Sequence, residues 1–184
     1  MRDIRICYVG DSFVQGVGDE AKLGWTGRLS QKSDEGEMQI THYNLGIRGD
    51  TSSDILKRWE QEVALRLGNG SENYVVFSFG VNDTVKVNGF VRVSLIESMT
   101  NIRDILGEAK PHYNVLMVGP PLIDDEEQNM RIRAYDQAYA NICKNLGVPY
   151  LSIVDSTVEM VDNIEKGYEL LAQYVYDWDA WWFK

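Results

Sequence analysis

The sequence predicts an α/β protein in which a mainly parallel sheet of about five strands lies between two layers of helices, a three-layer α/β/α sandwich. Two observations lead to this fold class. Short apolar runs alternate along the chain with longer segments, and in those segments apolar residues recur every three to four positions. This alternation is typical of a parallel sheet that is covered by helices on both faces.

Five short apolar runs are the candidate strands, and five strands suffice for one sheet. In chain order they are IRICYVG near residues 4–10, ITHYNLG near 40–46, YVVFSFG at 74–80, NVLMVG at 114–119 and PYLSIV at 149–154.

Three segments between these runs have the apolar period of a helix face that packs on a core. The three faces are Ile55, Trp59, Val63 and Leu67, then Leu95, Met99, Ile102 and Leu106, and finally Tyr135, Ala138, Ile142 and Leu146. Thr51 and Asp54 resemble a capping box at the start of the first of these helices. Gly147, shortly before Pro149, is a plausible end for the last one.

Length and charge limit the domain count and the partners. A chain of 184 residues has the usual size of one domain, and it contains no internal repeat and no linker rich in Gly, Ser or Pro. We therefore expect a single domain over residues 1–184. With 18 basic and 28 acidic residues the net charge is -10, which repels polyanions on average, so we expect no nucleic-acid partner.

No apolar stretch approaches the roughly 20 residues needed to cross a bilayer. The segment MRDIRICYVGDS lacks the apolar region and cleavage site of a signal peptide. These features predict a cytoplasmic protein without a membrane span. Cys7 and Cys143 are interpreted as reduced thiols, since they lie far apart and form no C-x-x-C pair.

Three polar segments follow three different predicted strands. Ser12 follows the first strand, Gly49 the second and Asn82 the third. Because open α/β sheets place their sites at the carboxyl ends of the strands, we expect these residues to converge. A serine hydroxyl can attack a carbonyl once a base removes its proton. The Gly49 amide, the Asn82 side-chain NH2 and the Ser12 amide can then donate hydrogen bonds to the oxyanion.

Each segment also has a purely structural interpretation. Asp11 with Ser12 is a common turn pair, RGDTSS is a good loop and helix start, and GVND is a turn sequence. Taken singly, such segments are more often structural than catalytic. Their occurrence at three matching strand ends favours a site for acyl transfer.

The same segments resemble a known family. GDSF at 10–13, NLGIRGDTSSD at 44–54 and FGVND at 79–83 resemble, in order and spacing, the first three sequence blocks of the SGNH, or GDSL-type, hydrolases. VPYL at 148–151 and KGYELLA at 166–172 resemble the final strand and the final helix of that family. The resemblance therefore extends over nearly the whole chain.

The resemblance implies a flavodoxin-like SGNH hydrolase fold. It also implies a serine-dependent esterase, lipase or acylhydrolase that cleaves small-molecule carboxylic esters through an acyl-enzyme intermediate, with no metal or organic cofactor. By this resemblance Ser12 is the nucleophile, and Gly49 and Asn82 complete the oxyanion hole.

The histidine that serves as general base in this family lies in a D-x-x-H-P segment before the final helix, and it has no counterpart here. The two histidines, His42 and His112, lie elsewhere in the sequence. The interval before KGYELLA is also short by about ten residues relative to the family. Asp162, in DNIEKGY, is the candidate for the aspartate that orients the histidine.

Two explanations account for this gap. We expect that a loop bearing the histidine is missing from these 184 residues, because the serine and both oxyanion donors remain. The alternative is a true deletion, which leaves the serine without its base.

Two other classes of function compete with ester hydrolysis. One is a catalytically inactive SGNH-like binding module that holds an acyl or acetylated ligand in the same cleft. The other is a nucleotide- or flavin-binding doubly wound domain. The second is disfavoured because GDSFVQGVG is not G-x-G-x-x-G and the sequence has no P-loop lysine.

The carboxyl-terminal segment YDWDAWWFK carries more aromatic surface than a short tail can easily expose. We expect it to pack against the sheet or helices of its own domain. A homodimer contact is the alternative.

Overall fold

The computed structural model describes residues 2–33, 36, 38–156 and 163–184. The sheet strands are β1 (Arg2–Gly10), β2 (Met38–Gly46), β3 (Glu72–Ser78), β6 (Asn114–Val118) and β7 (Tyr150–Leu151), and a separate hairpin contains β4 (Lys86–Val87) and β5 (Phe90–Val91). The helices are α1 (Ser12–Gln15), α2 (Gly24–Lys32), α3 (Ser52–Ala64), α4 (Leu95–Ala109), α5 (Glu126–Leu146) and α6 (Ile164–Asp177).

The five sheet strands lie in the order β2-β1-β3-β6-β7, and every neighbouring pair is parallel. This confirms the predicted fold class. β1 occupies an inner position, with β2 and β3 on either side of it. The carboxyl ends of β1, β2 and β3 are therefore adjacent, since Gly10 is in register with both Gly46 and Ser78.

Side chains of β1 alternate between two buried layers, because successive residues of a strand point to opposite faces of the sheet. Cys7 and Val9 belong to a core cluster with residues of α3, α4 and α5. Ile6 and Tyr8 belong to a second cluster with residues of α2 and α6. The sheet is thus covered by helices on both faces, as a three-layer sandwich requires.

The predicted helix boundaries are confirmed at the two places where the sequence offered a specific signal. Thr51 and Asp54 form a reciprocal capping box at the start of α3. Gly147 ends α5 in the left-handed conformation, with φ of 65°, which favours glycine.

The last strand is shorter than the predicted run 149–154. β7 contains only Tyr150 and Leu151, which pair with the end of β6, and it is the last strand of the sheet in the described part of the chain. Ile153 and Val154 are nevertheless buried, so the apolar run beyond β7 serves the core.

The β4–β5 hairpin was not predicted and lies in the loop that follows the third strand. Asn88 and Gly89 have φ of 54° and 85°, as a two-residue hairpin turn requires. The Asn-Gly pair between apolar residues was the sequence signal for it.

The aromatic tail packs on its own chain. Trp181 and Phe183 are buried in the cluster that contains α2 and α6. The ring of Tyr74 in β3 lies 4.7 Å from that of Trp182 and 4.9 Å from that of Phe183, measured between centroids. Much of the apolar surface of the tail is therefore used within the fold.

Cys7 and Cys143 are free and buried, and burial raises the pKa of each thiol to about 12.

Across the described ranges, no helix combines the length and the apolar character needed to cross a bilayer.

Candidate functional site

The site begins with Ser12, which is the first residue of α1 and lies two residues beyond the end of β1. Asp11 caps this short helix, since its carboxylate accepts a hydrogen bond of 2.9 Å from the Phe13 amide. Ser12 is half-buried, and its hydroxyl makes no hydrogen bond with any described residue. The hydroxyl is therefore open to an incoming group.

Gly49 lies in the loop that follows β2. Its φ is 87°, and an added Cβ would meet nothing within 4 Å, so the space beside its backbone is open. Arg92 donates a hydrogen bond of 2.9 Å to the Gly49 carbonyl. The Gly49 amide donates no hydrogen bond within the described part of the chain, which leaves it available as a donor.

Asn82 starts the turn after β3 and connects the other two segments. Its Nδ2 donates a hydrogen bond of 2.8 Å to the Asp50 carbonyl, in the loop that contains Gly49. The same nitrogen lies 3.5 Å from Asp11 Oδ2, next to Ser12. An amide NH2 has two protons. One is donated to the Asp50 carbonyl, and the other makes only the long contact with Asp11 Oδ2. The three strand-end segments thus meet at one edge of the sheet, as the sequence predicted.

Asp83 fixes the position of Asn82, and sequence reasoning missed it. Its side chain is fully buried and accepts hydrogen bonds from the Ser52 amide at 2.7 Å and the Ser98 hydroxyl at 2.6 Å. These bonds join the turn after β3 to the starts of α3 and α4. Burial raises the pKa of Asp83, while the hydrogen bonds from Ser52 and Ser98 oppose that shift.

Asp11 is the second buried carboxyl of the site, with 1% of its surface exposed. Burial raises its pKa to about 7, while the hydrogen bond from the Phe13 amide opposes this shift and the nearby Asp83 and Asp50 carboxylates add to it. The folded protein therefore binds a proton at Asp11 more tightly than the unfolded chain does.

Replacing Asp11 with asparagine should change how stability depends on pH. Since the folded-state pKa of about 7 exceeds the unfolded value of 3.8, Asp11 makes the wild type lose stability as pH rises between those values, by about 4 kcal/mol in all. Asp11→Asn keeps an oxygen for the Phe13 amide and removes this titration. The free energy of unfolding of Asp11→Asn, measured in urea, should therefore increase relative to that of the wild type as pH rises. A difference between the two proteins that does not change with pH would contradict the raised pKa of Asp11.

Both histidines lie away from this edge. His42 is in the middle of β2, where its Nδ1 lies 3.0 Å from the Tyr8 hydroxyl and burial lowers its pKa to about 4. It is four residues before the end of the strand, or about 13 Å from the edge. His112 is exposed and lies just before Asn114, where β6 begins, and so at the opposite edge of the sheet. Neither imidazole reaches Ser12.

Asp162, the predicted orienting aspartate, lies outside the described residues. The helix that follows it is described, and it packs beside the serine segment. The Tyr168 hydroxyl of α6 donates a hydrogen bond of 2.9 Å to the Val17 carbonyl, and the Tyr168 ring lies 6.5 Å from that of Phe13. The start of α6 is therefore close to the segment that carries Ser12.

A cavity of about 640 Å³ lies between α2 and α6, lined by residues that include Leu23, Arg28 and Glu169. Its lining includes none of the strand-end residues Ser12, Gly49 and Asn82. No group of three or more His, Cys, Asp and Glu side chains suited to a metal ion occurs in residues 2–33, 36, 38–156 and 163–184.

Known proteins resemble this chain in sequence and in structure. The uncharacterised protein YpmR of Bacillus subtilis is 31% identical over 86 residues, and an acetylxylan esterase of Geobacillus stearothermophilus is 28% identical over 116 residues. These matches span 46% and 60% of this chain but only 33% and 51% of the two relatives.

A structure of a catalytic mutant of the acetylxylan esterase Axe2 from Geobacillus stearothermophilus superimposes with a TM-score of 0.79 at 18% identity, covering 100% of this chain and 97% of that one. This likeness confirms the predicted SGNH hydrolase fold. A profile of the GDSL-like Lipase/Acylhydrolase family matches residues 8–183. The chain therefore belongs to the GDSL-like lipase/acylhydrolase family.

Proposed function

We propose that the protein hydrolyses carboxylic esters, with Ser12 as the nucleophile. The observation that carries this proposal is the position of Asn82, whose side-chain nitrogen contacts the Asp50 carbonyl and lies beside Asp11. A hydroxyl and two hydrogen-bond donors from three distant segments can therefore act on one carbonyl group.

In the proposed reaction the Ser12 oxygen attacks the ester carbonyl as a base takes the hydroxyl proton. The Gly49 amide, the Asn82 carboxamide and the Ser12 amide stabilise the oxyanion of the tetrahedral intermediate. The C–O bond to the alcohol then breaks, and the leaving oxygen receives the proton. Water releases the carboxylic acid from the acyl-enzyme by the same steps and restores the Ser12 hydroxyl.

The base in this proposal is an imidazole that neither His42 nor His112 provides. Structures of Axe2 include catalytic mutants in which a serine, an aspartate or a histidine is replaced by alanine. Ser12 would correspond to the serine and Asp162 to the aspartate, and the histidine would come from residues outside these 184. Without it, only the slow reaction supported by the oxyanion donors would remain.

A second candidate function is the binding of an acyl or acetylated ligand without turnover. The missing base favours this function, since no described residue accepts a hydrogen bond from the Ser12 hydroxyl. The oxyanion donors would then hold the carbonyl of an intact ester.

Hydrolysis of p-nitrophenyl acetate by the 184-residue chain, with and without free imidazole, separates the two functions. Because the hydroxyl is open and lacks a base, we expect a slow rate that imidazole increases in the wild type but not in Ser12→Ala. The Ser12→Ala rate also corrects for the direct reaction of imidazole with the ester. Equal rates for the two proteins at every imidazole concentration would contradict ester hydrolysis and favour the binding module.

The acyl group and the alcohol of the ester are proposed from the relatives of this chain. An acetylxylan esterase is among the relatives, so acetylated xylooligosaccharides are the first natural class of ester to test. Comparing release of acetate with release of a longer acyl chain from matched p-nitrophenyl esters would define the acyl preference.

A further inference from the structure

Arg58, in the middle of α3, has every nitrogen of its guanidinium group occupied. Nε donates a hydrogen bond of 2.7 Å to Asp50 Oδ2, Nη2 one of 2.9 Å to the Gly10 carbonyl, and Nη1 one of 3.3 Å to Glu62 Oε2. The side chain is only 15% exposed. The Arg58 side chain is therefore largely buried and held in place by three hydrogen bonds.

The acceptors of Arg58 belong to the segments that form the candidate site. The Gly10 carbonyl immediately precedes Asp11 and Ser12, and it also accepts a hydrogen bond of 3.0 Å from the Ile47 amide. Asp50 immediately follows Gly49, and its backbone carbonyl accepts the hydrogen bond from Asn82. One side chain therefore joins the serine segment to the glycine loop directly, and to Asn82 through Asp50.

We propose that Arg58 is a positioning residue for the oxyanion donors, holding the Gly49–Asp50 loop at a fixed distance from Ser12. The proposal rests on the proposed function, because it assigns Arg58 to the site at which Ser12 would act. Arg58 does not touch the substrate in this account. It acts through Asp50 and the Gly10 carbonyl.

A substrate-binding role for Arg58 does not fit these contacts. Asp50 and Glu62 both lie within ion-pair distance of the guanidinium, at 2.7 Å and 3.3 Å, so its charge is already balanced by two carboxylates. An anionic substrate would have to displace one of them. A positioning role instead uses the planar fork of donors, which can hold two acceptors at a fixed separation.

Lysine cannot reproduce this geometry. Its ammonium group is a single point on a flexible stem, so it can approach Asp50 or the Gly10 carbonyl without fixing one relative to the other. Arg58→Lys keeps the charge and should therefore lose most of the positioning. Arg58→Gln loses both the positive charge and the planar group of N–H donors.

The experiment measures how fast a fluorophosphonate inactivates Ser12 at one fixed concentration of free imidazole, which supplies the base that His42 and His112 do not provide. The phosphoryl oxygen of this probe occupies the space of the oxyanion. The two measured quantities are the maximal rate of inactivation, kinact, and the probe concentration giving half that rate, KI. We expect Arg58→Gln and Arg58→Lys to lower kinact by about 10- to 100-fold, because small misplacements of catalytic groups have effects of this size. KI should stay within about twofold, since binding of the probe does not involve Arg58.

Two further variants separate positioning from loss of folding. Arg66→Gln is the matched control, because Arg66 lies just beyond α3 and its guanidinium bonds only the Glu62 carbonyl among the described contacts. It should inactivate like the wild type. In Asp50→Asn with Arg58→Gln no buried charge is left unpaired, so the double variant should keep the melting temperature of the wild type but still show the low kinact.

The outcomes are distinguishable. If wild-type Ser12 is not labelled even with free imidazole present, the proposed function is wrong and this inference falls with it. If the wild type is labelled and every folded Arg58 variant is labelled at the same rate, ester chemistry stands and the positioning role is overturned. An equal fall in Arg66→Gln would also overturn it, because the effect would then come from loss of positive charge in or near α3 and not from the contacts of Arg58.

Discussion

Replacing Asn82 with alanine should lower the maximal rate at which a fluorophosphonate inactivates Ser12 by about 10²- to 10³-fold, the usual cost of losing one oxyanion donor. The Asn82 nitrogen is the donor that links the other two segments, through the Asp50 carbonyl and beside Asp11. Its loss removes a donor and also loosens the loop that carries Gly49. The measurement is the rate of adduct formation with free imidazole present as the base, followed by intact mass.

The matched control for this prediction is Asn114→Ala. Asn114 begins β6 at the opposite edge of the sheet, and its side chain bonds the Asn73 carbonyl. This variant should react like the wild type. If Asn82→Ala keeps the wild-type rate while the melting temperatures agree, Asn82 is not an oxyanion donor.

Replacing Gly10 with alanine should destabilise the fold by about 3 kcal/mol or more and abolish labelling of Ser12. A Cβ at Gly10 would lie 2.0 Å from the Ser78 carbonyl oxygen and 2.4 Å from Val14 Cγ2. The carbonyl belongs to the backbone of β3, so it cannot move without separating β1 from β3. The same displacement would carry the serine segment away from its neighbours.

Gly107→Ala is the control for the Gly10 prediction. Gly107 is exposed on α4, and an added Cβ would meet nothing within 4 Å. Alanine is favoured over glycine in a helix by about 1 kcal/mol, so this variant should be slightly more stable than the wild type and react normally. Free energies of unfolding in urea measure both effects, and a loss at Gly10 no larger than about 1 kcal/mol would contradict the close approach of β1 and β3.

Local patterns predicted the five sheet strands and the helices α3, α4 and α5, because each pattern reports which face of an element is buried. The capping box at Thr51 and Asp54 and the end of α5 at Gly147 followed from short-range rules in the same way. The strand-end positions of Ser12, Gly49 and Asn82 followed from the parallel order of the strands.

The contacts that hold the site together could not be read in this way. Arg58 reaches the Gly10 carbonyl across 48 positions of sequence, and Asn82 reaches the Asp50 carbonyl across 32. Such pairs depend on the packing of α3 against the sheet, and no local period reports it. Asp83 and Asp11 were visible only as turn residues, although burial gives each of them a raised pKa.

A structure of the protein after reaction with a fluorophosphonate, in the presence of free imidazole as the base, tests the central claim most directly. The account predicts an adduct on Ser12 whose phosphoryl oxygen lies about 2.7 to 3.1 Å from the Gly49 amide and from Asn82 Nδ2. An adduct on another residue would contradict it. So would an adduct on Ser12 whose phosphoryl oxygen points to solvent, away from both nitrogens.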